Sequence, residues 1–172
     1  ISARNHRTLD DTPLRVQILG AEELREKANM KPGDIRMMLN ESTGIQVQQT
    51  SATSFNSSVR IQGLDGRYTQ LLRDGLPVYA GFSGSLSLLQ IAPLDLKQVE
   101  VVKGASSTLY GGGAIAGLIN LVSKTPEETP ETALMLNATS ANGVDVSAFH
   151  SSEHDTQGVT LFASYNQGSA YE

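Results

Sequence analysis

Two histidines and a glutamate near the end of the chain have the spacing of a metal-binding motif. His150, Glu153 and His154 stand in the order H-x-x-E-H, which one group of zinc peptidases uses. That chemistry needs both histidines on one face of a helix and a third ligand from elsewhere. Here the motif lies in polar residues between two alternating segments, and this context favours a solvent-exposed hairpin turn. We therefore predict no metal site.

A run of three glycines, 111–113, is the second feature that could do chemistry. The spacing from Gly111 to Gly113 to Gly117 is one residue longer than that of a dinucleotide-binding fingerprint. That fingerprint also needs a helix after the glycines, whereas the strand-like segment GLINLV follows here. No P-loop lysine follows either. The run instead predicts a sharp bend in a crowded place, because glycine allows close approach of another backbone.

No set of nucleophile, base and acid can be assigned from the sequence. The segment SSTLY, 106–110, lacks the flanking glycines of a serine nucleophile elbow. Asp65, Asp74 and Asp95 stand where turns favour aspartate, so turn formation accounts for them. We predict no catalytic residue and no enzyme activity. A tight, stoichiometric zinc site at His150 and His154 would be the observation in favour of an enzyme.

The composition is that of a globular chain and excludes several classes of partner and site. The chain has 172 residues, 39% hydrophobic and 18% charged, which suffices for one domain with a buried core. Its formal net charge is −5, so a nucleic-acid partner would gain no electrostatic support. Cysteine is absent, which excludes disulfides and thiolate sites. The chain begins at Ile1 without a leader, and we expect a processed chain or an engineered fragment.

Short strands and helices are predicted over the first 124 residues, where they would position the glycine run and the turn aspartates. Alternating or β-branched stretches predict strands at 12–19, 45–49, 59–64, 69–78, 94–104 and 116–124. Helix formers predict helices at 20–28 and 31–44, with a single helical turn at 105–110. Asp74-Gly75 divides 69–78 into two halves, because this dipeptide favours a tight reversal. The mixture predicts a small sheet with short helices packed on it.

The chain changes character at TPEETPE, residues 125–131, which we interpret as a linker. Beyond it, apolar residues alternate with small polar ones, and one face carries Val144, Val146, Ala148, Val159, Leu161, Ala163 and Tyr165. Turns are predicted at 141–143 and 152–158. Strands of about 10 residues with one apolar face are typical of a membrane β-barrel, and a soluble sandwich gives similar alternation.

The stretch from Val59 to Lys124 resembles the plug domain of TonB-dependent outer-membrane receptors. VRIQGL, 59–64, resembles the family's I-R-G-hydrophobic strand, and LLRDGLPV, 71–78, resembles its D-G-x-P turn. LKQVEVVKGASSTLYGGGAIAGLINLVSK, 96–124, resembles its long I-E-R-I-E-V-x-R-G-P-x-S-x-x-Y-G-x-x-A-x-x-G-x-I-N-I-x-T-K block. Residues 12–49 are similar to the N-terminal strand and helices of the family.

This resemblance implies an α/β (α+β) plug domain at 1–124, built on a small mixed four-stranded sheet with short helices. The opening antiparallel strands of a β-barrel would follow at 132–172. The implied protein is an active importer in the outer membrane of a Gram-negative bacterium, with the plug inside the barrel lumen. Its partners would be the barrel wall, a TonB-type energising protein of the periplasm and a scarce nutrient: an iron chelate, haem, cobalamin or a glycan. It implies no cofactor, and the segment that binds the energising protein is expected upstream of Ile1.

The resemblance also implies roles for individual residues. The motif residues are Arg60, Gly63, Asp74, Gly75, Pro77, Glu100, Lys103, Gly104, Tyr110, Gly111, Gly117 and Asn120. The loops 50–58 and 79–88 would touch the nutrient through Thr50, Ser54, Phe55, Asn56, Tyr79, Phe82, Ser83 and Ser85. Glu100 and Lys103 would present their charges to the barrel wall. Gln62 and Lys103 replace arginines of the family and Ala105 replaces a proline, so the geometry of the plug–barrel contact at Lys103 differs from the family's bidentate one.

A freestanding exported α/β binding module that reuses the plug fold is the alternative hypothesis. It predicts a folded, monodisperse chain in which Val144, Val146, Val159 and Leu161 are buried. The importer hypothesis predicts instead that the tail frays, swaps or self-associates, because three strands cannot close a barrel and leave edges exposed.

Overall fold

A computed structural model describes residues 15–30, 35–49, 57–78, 91, 93–104, 111–138 and 143–167. The helices in these ranges are Ala21–Met30 (α1) and Arg36–Asn40 (α2). The strands are Arg15–Leu19 (β1), Ile45–Gln49 (β2), Ser57–Ile61 (β3), Thr69–Arg73 (β4), Leu76–Pro77 (β5), Leu96–Lys103 (β6), Gly117–Ser123 (β7), Glu131–Ala138 (β8), Val144–His154 (β9) and Gln157–Gln167 (β10). Neither helix of the described part has the length and apolar character needed to cross a bilayer.

Five strands form the main sheet, in the order β1-β6-β7-β4-β5. Strands β1 and β7 pair antiparallel with β6, and β4 runs parallel to β7. The prediction of a mixed sheet is therefore confirmed. A fifth strand of two residues, β5, lies at the edge of the sheet beside the four longer strands. It pairs with β4 because Asp74-Gly75 folds the chain back as a hairpin.

One face of the main sheet packs against α1, α2 and the β2–β3 hairpin. The buried side chains include Leu71, Val99, Val101, Ile119 and Leu121 from the sheet and Leu24, Ile35, Met38, Leu39, Ile45 and Ile61 from the covering elements. Alternate residues of a strand share a face, so Val99 and Val101 of β6 and Ile119 and Leu121 of β7 enter this core together. Helix α2 is shorter than the predicted 31–44, because it ends at Asn40 and turns lead from there to Gly44, where φ is +76°.

The opposite face of the main sheet carries a small apolar cluster beside polar groups. Leu72, Val102 and Leu118 are buried there, with Val16 packed against them. Glu100 and Asn120 lie directly opposite each other in the β6–β7 register. They share the face of Val102 and Leu118, because each lies two positions away from one of them.

Strands β8, β9 and β10 form a separate antiparallel sheet in the order β10-β9-β8. Its register aligns apolar residues on one face: Leu134 with Ala148 and Ala163, and Leu136 with Val146 and Tyr165. Leu134 is 68% exposed and Leu161 is 62% exposed, and Val144 and Val159 are exposed as well. The freestanding module predicts burial of Val144, Val146, Val159 and Leu161, whereas three of these side chains are exposed and Val146 is half-buried.

Two predicted boundaries of this sheet need correction. Strand β9 continues through His154, so the turn placed at 152–158 is confined to Asp155 and Thr156 between β9 and β10. His154 pairs with Gln157, and two residues are enough to connect antiparallel strands in a hairpin. Strand β8 begins at Glu131, one residue inside the predicted linker.

Candidate functional site

The Asp74-Gly75 hairpin between β4 and β5 is the first part of a polar network in the main sheet. The φ angles of these residues are +51° and +79°, the geometry of a type I′ turn. The Asp74 carboxylate accepts hydrogen bonds from the backbone N–H and the hydroxyl of Ser123, both at 2.8 Å. The turn is thereby bound to the last residue of β7.

Asn120 connects this turn to the middle of the sheet. Its side-chain oxygen accepts a hydrogen bond from the N–H of Gly75 at 2.9 Å, and its amide donates to Oε2 of Glu100 at 3.0 Å. Gln98 donates to the other Glu100 oxygen at 2.8 Å, and Glu100 is 1% exposed. Burial raises the pKa of the Glu100 carboxyl, and the hydrogen bonds from Asn120 and Gln98 act in the opposite direction and lower it. The network therefore surrounds a buried carboxyl group with hydrogen-bond donors.

Arg73 extends the network to the start of β6. Its Nε donates to the Ser123 hydroxyl at 3.3 Å, and a terminal guanidinium nitrogen donates to the Asp95 carboxylate. The backbone oxygen of Asp95 accepts a hydrogen bond from the N–H of Lys124 at 2.8 Å. In the described part of the chain, the second carboxylate oxygen of Asp95 is buried without a hydrogen-bond partner. Side chains therefore join the C-terminal ends of β4 and β7 to the N-terminal end of β6, in addition to the backbone hydrogen bonds of the sheet.

Glycine is required where β6 and β7 approach each other. Gly117 has a φ of +144°, and a Cβ at this position would lie 2.2 Å from the backbone oxygen of Val102. The glycine run that we expected to supply the bend forms a 3₁₀ turn, Gly111–Ala114. A Cβ at Gly113 would meet only the end of the Gln70 side chain, at 3.0 Å. The crowding that the sequence suggested for the run is therefore greatest at Gly117, and strand β7 follows the glycines as predicted.

Lys103 binds other parts of the same domain. Its ammonium donates to the side-chain oxygen of Gln17 at 2.8 Å and to the backbone oxygen of Thr43. These bonds hold β1 and the turn before β2 against β6. Glu100 also has its described partners inside the domain, so the presentation of both charges to a barrel wall stays a prediction.

The remaining described motif residues lie in turns and at strand pairs around the network. Gly63, with φ of +80°, completes a tight turn after Gln62, and the N–H of Leu64 donates to Ile61 at 3.0 Å. Gly104 has a φ of +105°, and its N–H donates to the backbone oxygen of Ala116 at 3.1 Å. Arg60 lies opposite Gln46 in the β2–β3 hairpin, and Pro77 lies opposite Leu72.

Sequence reasoning missed Gly66 and Ser123. A Cβ at Gly66 would lie 2.1 Å from the Ser58 hydroxyl and 3.0 Å from the Val59 oxygen. The Asp65-Gly66 dipeptide signalled a turn, but the close approach to β3 is a tertiary contact that no local pattern shows. The candidates outside the described residues are Tyr110 and the loop residues Thr50, Ser54, Phe55, Asn56, Tyr79, Phe82, Ser83 and Ser85.

The H-x-x-E-H motif lies on strand β9, not in a turn as we predicted. His150 and His154 therefore share a face, but four strand residues separate them by roughly 13 Å, too far for one metal ion. His150 Nδ1 lies 2.8 Å from the Thr132 hydroxyl, and His154 Nε2 lies 3.5 Å from the Asp155 carboxylate. Among the described residues, no group of three or more His, Cys, Asp or Glu could hold a metal ion.

Residues 8–118 match the family model described as "TonB-dependent Receptor Plug Domain". The chain belongs to this family. It is 32% identical over 143 residues to the ferric aerobactin receptor of Klebsiella pneumoniae, covering 83% of this chain and 17% of that protein. It is 29% identical over 121 residues to the vitamin B12 transporter BtuB of Vibrio vulnificus, covering 70% of this chain and 19% of that protein. The chain thus spans less than a fifth of the length of these relatives.

The fold of the plug domain is also similar to that of solved receptors. The structure of the pyoverdine outer membrane receptor FpvA from Pseudomonas aeruginosa PAO1 matches with a TM-score of 0.73 at 20% identity, covering 91% of this chain and 22% of that one. The match extends over most of the chain, so it includes the plug sheet and strands beyond it. Strands β8–β10 accordingly have the fold of the barrel start that follows the plug.

Proposed function

We propose that this chain is the plug and the first barrel strands of a TonB-dependent outer-membrane active transporter. The plug would gate the barrel and contribute to binding of a scarce nutrient. The observation that carries this proposal is a plug domain continued by strands whose aligned apolar face is exposed, as the lipid-facing side of a barrel wall is. We assign 1–124 to the plug, 125–131 to the linker and 132–172 to the barrel.

The proposed mechanism is gating without catalysis. Nutrient binding on the outer side would shift the plug, and a pull by a TonB-type protein from the periplasm would then open a path. The polar groups of the described site support this assignment, because Asp74, Asn120 and Glu100 form hydrogen bonds with one another and with the backbone. They hold the strands together, and this supports a structural role for the network.

An iron chelate is the nutrient class with the most support, and cobalamin comes second. The relatives named above are receptors for ferric aerobactin and pyoverdine and a transporter for vitamin B12. A different class of protein, the freestanding binding module, has less support because the apolar face of β8–β10 is exposed.

The test is energised uptake by the full-length receptor in Gram-negative cells. Radiolabelled ferric chelates and labelled cobalamin are supplied in separate assays, with a strain that lacks the energising protein as control. We expect uptake of one class that depends on the energising protein and disappears when residues 1–124 are deleted. Unchanged uptake after the deletion contradicts the proposal.

A further inference from the structure

Lys124, the residue after β7, brings a charged side chain of the plug into contact with two barrel strands. Its ammonium lies 2.6 Å from Oε1 of Glu131 and 4.7 Å from the ring centre of Phe149. Glu131 is the first residue of β8, and Phe149 lies in the middle of β9. We name these three side chains the Lys124 contact.

The Lys124 contact is partly shielded from water. Phe149 is 1% exposed and the Lys124 side chain is 21% exposed. A cation–π attraction strengthens as its partners lose water, whereas an ion pair between exposed groups contributes little. Lys97 and Glu127 form such an exposed pair nearby, 3.8 Å apart with side chains 50% and 71% exposed. The Lys124 contact is therefore the stronger of the two charged contacts around the linker.

The plug side of this contact is fixed to the main sheet. The N–H of Lys124 donates to the backbone oxygen of Asp95, and the preceding Ser123 is bound by Asp74. A cavity of about 370 Å³ lies beside the contact, lined by linker residues and by Ser151 of β9. Lys97 of β6 and Ala21 of α1 also line it, so the main sheet, the linker and β9 border the same space. The Lys124 side chain bridges the main sheet and the barrel strands at this point.

We propose that Lys124 is a positioning residue that holds the C-terminal end of the plug against the first barrel strands and so keeps the resting transporter closed to passive flow. This inference rests on the proposed function, because only a plug inside a barrel can block such flow. Removing a contact of this kind raises the population of a displaced state by about fivefold to thirtyfold. The displaced plug stays covalently attached, so the expected effect is a leak and not loss of the domain.

The experiment measures passive entry of a glycopeptide antibiotic too large for general porins, in cells that lack the energising protein. Full-length receptor variants are compared at equal abundance in the outer membrane. We expect Lys124→Met to raise entry by about fivefold to thirtyfold. Lys124→Arg should restore the wild-type rate, because arginine keeps the charge and stacks on aromatic rings. Lys97→Met is the matched control and should leave entry unchanged.

Wild-type entry for Lys124→Met, or equal leaks for Lys124→Met and Lys124→Arg, would overturn the inference. If Lys124→Met lowers receptor abundance, Phe149→Leu takes its place, since it removes the ring but keeps apolar packing. Phe149→Leu should leak, and wild-type entry for this variant would also overturn the inference. Energised uptake by the wild-type receptor is measured in parallel. Its absence counts against the proposed function, whereas normal uptake with no variant leak counts against the role of Lys124 alone.

Discussion

At the scale of single residues, Gly117 and Asn120 are two positions where the structure tolerates little change. Gly117 lies where two backbones nearly touch, and Asn120 lies where a turn, a strand and a buried carboxylate meet. The family motif pointed to both positions before the structure showed why they matter. Gly66 and Ser123 have comparable contacts, but their partners come from other strands, so no local pattern of the sequence could indicate them.

Gly117→Ala should be severely destabilising. Its φ of +144° disfavours any L side chain, and the added Cβ would lie 2.2 Å from a backbone oxygen that cannot rotate away. We expect a loss of at least about 3 kcal/mol in the free energy of unfolding. Urea unfolding of the chain in detergent, followed by circular dichroism, measures it. Gly113→Ala is the control, since there the Cβ meets a flexible glutamine end, and equal losses for both variants would contradict the argument.

Asn120→Asp should make stability depend on pH. The substitution would place a second carboxylate beside Glu100, so one of the two binds a proton more tightly in the folded than in the unfolded chain. A folded-state pKa raised in this way gives stability that is present below the unfolded pKa and is lost as the pH rises through the folded pKa. We expect the variant to unfold at lower urea at pH 7 than at pH 5. Asn120→Ala lacks the second charge and should show a deficit of about 1–3 kcal/mol without that added pH dependence.

At the scale of elements, the sequence predicted the strands well and the helices and turns less well. Strand β2 matches its predicted bounds of 45–49, and β6 and β7 lie within theirs, because alternation of buried and exposed residues is itself the local signal. The end of β9 was misassigned because Ser152, Glu153 and His154 are polar residues typical of turns. They extend the strand because β10 pairs with them, and that partner is not visible in a local window.

The β4–β5 hairpin provides a test at this scale. Asp74→Ala removes both acceptors of Ser123 and puts alanine at a φ of +51°, whereas Asp74→Asn keeps a side chain that tolerates this conformation. We expect a loss of about 2–3 kcal/mol for alanine and a smaller loss for asparagine. Hydrogen exchange at the Ser123 amide measures it, with faster exchange in the alanine variant. Wild-type protection of that amide in Asp74→Ala would show that the turn does not hold β7.

At the scale of the whole molecule, the two sheets differ in how their apolar faces are covered. The main sheet is covered by helices and a hairpin on one face, whereas β8–β10 leave an apolar face exposed. The sequence indicated this division through the linker and the change to strict alternation. It could not show which residues of the plug meet the barrel strands, because the contacts of Lys124 with Glu131 and Phe149 depend on how the two sheets pack.

The exposed face makes the proposed barrel wall testable. Leu134→Lys places a charge on the apolar face and should cost about 2–4 kcal/mol if that face meets lipid near the bilayer midplane. Thr160→Lys, on the opposite face of the same sheet, should be tolerated far better. The yield of heat-modifiable, folded receptor in outer-membrane fractions compares them. Equal yields for the two variants would argue against a lipid-facing surface.

The pairing of β1 with β6 has a consequence for how the protein reaches its fold. Every β6 partner of a β1 residue lies at least 80 positions later in the chain. Such non-local pairing folds slowly, because a long loop must close before the contacts form. In a protein exported from its amino terminus, the first strand would emerge long before its neighbour and wait unpaired. The topology therefore leaves β1 as an unsatisfied strand edge until the last strand of its pair, β6, has been made.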